Sequence, residues 1–152
     1  MLRAHFHRAE KALPVAALLI ALGFVVFSGG SVLTREGPQT LLSTSKTVLG
    51  QAVAYPTGAP AKVTSVIVTM QPGEETGWHK HDVPMFGYIL EGEVTVDYQG
   101  HGTRVYRKGD AVMEAIGTAH NGRNSGKVSA RILAVFMGAD GVPNTELTKA
   151  PQ

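Results

Sequence analysis

From Lys46 to Met137 the chain is a succession of short runs rich in β-branched and aromatic residues, each closed by a turn signal. The runs read KTVLGQAVAY, AKVTSVIVTM, MFGYIL, EVTVDY, TRVYR, DAVMEA and VSARILAVFM, and the separators read PTGAP, QPGEETG, EG, QGHG, RKGD and NGRNSG. Residues of the first kind fit a pleated, half-buried surface, and Gly, Pro and Asn adopt the backbone angles that tight turns need. No segment after residue 40 has the helical period, and no internal repeat stands out. Many short strands at regular spacing define a sandwich or a closed barrel. The 18 glycines suit a chain with many turns, and 43% hydrophobic residues in 152 are enough for one core. The domain is therefore expected over residues 41–140, with GVPNTELTKAPQ (141–152) as a loose tail.

The segment 1–34 does not belong to this pattern. Arg3, Arg8 and Lys11 form a basic flank, and Ala12–Thr34 then runs without a single charge. A secretory signal has an apolar stretch of about 7–15 residues and a small-residue cleavage site, whereas a spanning helix needs about 20 apolar residues. The strongly apolar part, Ala12–Phe27, falls between these lengths, and only SGGS follows it. One N-terminal hydrophobic helix is expected, as an uncleaved signal anchor in preference to a cleaved signal peptide. A linker over residues 35–40 would join it to the domain. Basic residues ahead of the segment place the domain on the extracytoplasmic side, periplasmic in a bacterium, or secreted if the segment is removed.

Charge and cysteine usage exclude several classes. Arg3, Arg8, Lys11 and Arg35 against Glu10 give the segment 1–35 a charge of +3, while residues 36–152 carry 10 basic and 11 acidic side chains. Nucleic acid is not an expected partner for such a domain. With no cysteine there is no disulfide, thiolate ligand or cysteine nucleophile.

Histidines carry the chemistry. In a strand, His79 and His81 share a face and Lys80 points away, so two imidazoles aimed inward make half of a metal site. His120, far enough along the chain to lie on another strand, is a third. His101 in the QGHG turn is expected to be exposed, and His5 and His7 belong to the N-terminal segment.

Around these histidines the sequence resembles the cupin superfamily, in both of its motifs. Gly73, His79, His81, Met85 and Gly92 fall at the spacings of the first, with methionine in place of its glutamate. Gly109, Ala115, Gly117, His120 and Asn124 fall at those of the second, with alanine in place of its proline. The insert between the motifs, 93–108, is of the short strand-turn-strand kind typical of small, single-domain members. The resemblance covers about residues 62–137. It implies a double-stranded β-helix, a jelly-roll-like barrel. It also implies a divalent transition metal (Fe, Mn, Cu, Ni or Zn) held by His79, His81 and His120, a small-molecule ligand or substrate, and the homodimers that cupins often form by strand exchange. Gly92 and Gly109, at strand ends, read as turn or bulge residues with positive φ, and Asn124 as a turn residue.

Met85 is the main departure. Three neutral nitrogens leave a bound dication its full charge, which favours hydroxide or an anionic ligand in the open positions. Met85 itself reads either as an apolar pocket wall, the favoured reading, or as a fourth ligand through sulfur to Cu(I). Glu114 reads as a displaced carboxylate serving as acid, base or outer partner of the metal, or else as a solvent-facing strand residue. Trp78, Phe86, Tyr88, Tyr98 and Phe136 are candidates for the pocket lining, though aromatics in a small barrel are core residues first. Two function classes stay open. One is a three-histidine metal-dependent dioxygenase, or related oxidative or lyase activity, acting on a small anionic or enolisable molecule. The other is a non-catalytic binding or sensing module beside a membrane.

Overall fold

A computed structural model of the protein describes residues 37–152. The targeting segment expected over residues 1–34 lies outside them. The described residues are all β, with nine strands: β1 Ala61–Met70, β2 His79–Lys80, β3 Met85–Glu91, β4 Glu93–Tyr98, β5 Gly102–Arg107, β6 Ala111–Met113, β7 His120–Arg123, β8 Ala130–Ala139 and β9 Glu146–Leu147. They form two antiparallel sheets, one ordered β1-β8-β3-β6 and the other β5-β4-β7-β2-β9. The strand rhythm predicts a sandwich or barrel, and the two sheets form the jelly-roll-like barrel that the resemblance implies.

Alternation along the strands builds the interior. In β4, Val94, Val96 and Tyr98 are buried while Asp97 is exposed. They join Ile89, Ala115 and Ala130 in one core cluster, and Val83, Ala134 and Phe136 form a second, against which Met85 packs. A one-residue slip in any of these strands would turn its apolar set to water, so the hydrophobic pattern specifies the register.

Gly92 shows how the turn chemistry sets the sheets. It joins β3 to β4 with φ +72, and a Cβ there would meet Ser129 O at 2.7 Å and Ala130 Cα at 2.9 Å. Only glycine combines that left-handed backbone with so close an approach. Gly109 also has positive φ, +95, but with nothing within 4 Å of a Cβ.

Two expectations about the elements are corrected. The run Lys46–Tyr55 is no strand: it turns back at once, with Gly50 N donating to Thr47 O and a single bridge between Lys46 and Ala52. Gly50, at φ +82, breaks it. The C-terminal segment expected to be loose instead forms β9, which pairs with β2 in the register His79↔Leu147 and Lys80↔Glu146. Its polar composition conceals this, because the pairing uses backbone groups that every residue has.

Candidate metal centre and cavity

The three histidines meet although they come from separate parts of the chain. Antiparallel pairing of β2 with β7 sets His79 opposite His120. His81, just past β2, is held by a parallel bridge to Ile116 and by Gly117 N donating to its carbonyl at 2.7 Å. Lys80 points the other way and binds Asp82 at 2.8 Å and Glu146 at 3.2 Å. One nitrogen from each of His79, His81 and His120 lies within 4.8 Å of the other two.

Backbone carbonyls fix the state of all three rings. His79 Nδ1–H donates to Gly77 O at 2.8 Å, His81 Nδ1–H to Asn144 O at 2.9 Å and His120 Nδ1–H to Thr118 O at 2.9 Å. A carbonyl can only accept, so the proton sits on Nδ1 and each Nε2 keeps a free lone pair. His81 Nε2 is buried with no hydrogen-bond partner. An orphaned buried nitrogen of this kind is costly unless something binds it. Burial holds all three imidazoles below their ordinary pKa, His81 to about 4. The rings are therefore neutral near pH 7, as metal ligands must be. Three inward lone pairs on neutral nitrogens, oriented by hydrogen bonds on the far side of each ring, fit a divalent transition metal.

Beside the histidines lies a cavity of about 250 Å³. Its wall is mostly apolar, from Ile89, Val94, Val96, Ile132 and Phe136, and small residues at Gly87, Gly122 and Ala134 leave the space unfilled. Met85 is part of this wall and packs on the cluster of Val83, Ala134 and Phe136. Glu114 also lines the cavity and is 4% exposed, so the solvent-facing reading of it is set aside. Its Oε1 accepts the Ala115 N–H at 2.7 Å, and burial, the largest influence, pushes its pKa up.

The five aromatic candidates divide. Phe136 lines the cavity. Tyr98 is fully buried among the core residues, its hydroxyl 3.1 Å from that of Tyr106 and its ring 5.6 Å from His120. Trp78, Phe86 and Tyr88 are not part of the lining. Met85, Gly87 and Ile89 face inward from β3, which turns Phe86 and Tyr88 to its other face. Trp78 lies in the bend just before β2, and its carbonyl accepts the Thr148 N–H. Tyr106 lines the cavity without having been foreseen; its signal is the alternation of TRVYR, in which it stands opposite to the exposed Val105. Thr145 and Leu147 of the C-terminal segment also border the cavity. His101 is exposed in its turn, and Asn124 is buried, its Nδ2 donating to Met70 O and Val128 O.

Comparisons with known proteins agree with this architecture. Residues 66–136 match the family model described as "Cupin domain". A similar curated protein is Oryzines biosynthesis cluster protein J of Aspergillus oryzae, 34% identical over 73 residues that make up 47% of this chain and 40% of that one. The chain thus spans less than half the length of the curated relative it matches. Among solved structures, the DMSP lyase DddQ from Ruegeria pomeroyi is similar at TM-score 0.50 and 27% identity, over 57% of this chain and 43% of that one. An uncharacterised double-stranded β-helix protein from Klebsiella pneumoniae aligns at TM-score 0.51 and 16% identity, over 80% of this chain and 97% of that one, a likeness of fold. The two sheets, the paired motifs and the family match place the domain in the cupin superfamily.

Proposed function

We propose that the protein is a metal-binding cupin in which His79, His81 and His120 hold a divalent transition metal at the edge of a cavity that takes a small molecule. The observation that carries this reading is the common state of the three rings: each gives its Nδ1–H to a backbone carbonyl and keeps Nε2 for the centre. A bound metal would supply Lewis acidity and, if redox-active, electrons to a ligand in its open positions. The chain does the rest. The apolar wall excludes water, the small volume limits the ligand to a small molecule, and three neutral imidazoles leave the centre cationic, which favours an anionic or enolisable ligand. A metal-dependent dioxygenase or related oxidative or lyase chemistry is the activity these features support best.

Metal analysis of protein purified without added metal tests the reading. A stoichiometric redox metal lost on chelation, with oxygen uptake or product release on a panel of small enolisable acids, supports the enzyme. Protein carrying zinc or no metal, with a retained organic ligand, makes it a binding module. We further propose that the N-terminal apolar run holds this domain at the extracytoplasmic face of a membrane, on the strength of residues 12–34 alone. Fractionation of cells expressing the full chain, followed by protease treatment of spheroplasts, tests it; a soluble cytoplasmic product overturns it.

A further inference from the structure

The position that the first motif reserves for a carboxylate is filled by Met85, yet a carboxyl stands directly across from it. β3 and β6 pair in the register Phe86↔Met113 and Gly87↔Val112, and one step further Glu114 N donates to Met85 O at 2.8 Å. Residues opposite each other in an antiparallel pair project from the same face, with Cβ atoms about 5 Å apart. Both side chains accordingly line the same cavity.

Glu114 lacks what a buried carboxylate ordinarily requires. It takes part in none of the ion pairs among the described residues. Its partners are the Ala115 N–H and, more weakly, the Tyr98 hydroxyl, and His79 is the basic side chain whose field reaches it. An unpaired carboxyl in an apolar wall is costly to bury. The three-histidine centre has the opposite deficiency, since a dication there keeps all of its charge. Each group supplies what the other lacks.

We propose that Glu114 is the charge-balancing carboxylate of this metal centre, moved from its usual place at position 85 to the strand opposite. The inference rests on the three-histidine reading above. In the present geometry the Glu114 oxygens lie outside the cluster of three imidazole nitrogens, so the carboxylate acts on the centre across the cavity and leaves the positions next to the metal open for a ligand. Position 85 then needs only an apolar filler, which Met85 is. The arrangement keeps a negative charge near the metal while moving it to the far strand, and so makes room for a ligand that binds side-on or through two atoms.

The test is Mn(II) titration of the full-length, metal-stripped chain as wild type, Glu114→Gln, His120→Ala, and the exchange variant Met85→Glu/Glu114→Met. Removing an outer partner of a metal site weakens the metal by about tenfold to a hundredfold, the loss expected for Glu114→Gln. The exchange variant returns a carboxylate to position 85 and should recover at least wild-type affinity, which shows that the loss in Glu114→Gln is one of charge and not of fold. Wild-type affinity in Glu114→Gln, with binding lost in His120→Ala, overturns the inference and leaves the three-histidine site standing. Wild-type affinity in both variants overturns the site as well. Should Glu114→Gln fail to fold, the exchange variant decides alone: weak Mn(II) binding by a protein with intact β-type circular dichroism rejects the proposal.

Discussion

His81 and Asn144 lie 63 residues apart in sequence, and the Nδ1–H of the first donates to the backbone carbonyl of the second at 2.9 Å. The Thr145 hydroxyl sits 3.2 Å from the same nitrogen. The bond makes the C-terminal segment part of the centre, because it holds the orientation of a ring whose other nitrogen is buried and unpartnered. Deleting residues 141–152 should therefore weaken divalent metal by about tenfold to a hundredfold while the two main sheets persist. Metal titration alongside far-ultraviolet circular dichroism checks both parts; undiminished affinity would show that Asn144 does not orient the ring.

His120→Ala removes one nitrogen of three and should abolish tight metal binding. The barrel should survive, since Val94, Val96, Tyr98 and their neighbours make a core that does not depend on this imidazole. Metal content after gel filtration and the circular dichroism spectrum are the measurements, and a variant that retains stoichiometric metal would remove His120 from the centre.

Met85→Leu should leave metal affinity unchanged, as expected of an apolar side chain packed on Val83, Ala134 and Phe136. A swap that conserves volume costs less than about 1.5 kcal/mol of stability. A drop in Cu(I) affinity in this variant would instead reveal a thioether ligand.

Acid should destabilise the metal-free protein earlier than its carboxylates alone would. Burial holds His81 at about 4 in the folded chain against 6.5 in the unfolded one. Between these values the unfolded chain binds a proton that the native ring refuses, so stability falls as pH drops through the window. The contribution is fully present above pH 6.5 and lost by about 4, a difference of about 3 kcal/mol for this residue at about 1.36 kcal/mol per pH unit. Urea midpoints in the presence of chelator at pH 7 and pH 5 capture about 2 kcal/mol of it, and His81→Gln should flatten the dependence.

Gly92→Ala should destabilise the fold more than Gly109→Ala. Both glycines have positive φ, which costs a side-chain-bearing residue about 1–2 kcal/mol, but only at Gly92 would the new methyl also strike backbone, at Ser129 O and Ala130 Cα. Thermal melts of the two variants compare them directly; equal losses would mean that the close approach at Gly92 relaxes freely.

Much of this protein was set out in its sequence because the relevant signals are local. Alternation in EVTVDY assigns Val94, Val96 and Tyr98 to the interior, and the turn glycines end strands where positive φ is needed. The separation of His79 from His81 by one residue puts both rings on one side of an extended chain. Tertiary structure decided what depends on register between distant segments. The side of β3 that faces the cavity excluded Phe86 and Tyr88 and admitted Met85, because that choice is made by pairing with β6 and β8, not by composition. Glu114 came to stand across from Met85 through the same pairing. The role of Asn144 and the strand at Glu146–Leu147 were invisible in the sequence for a simpler reason: both act through backbone carbonyls and amides, which every residue carries and which only the folded chain aims.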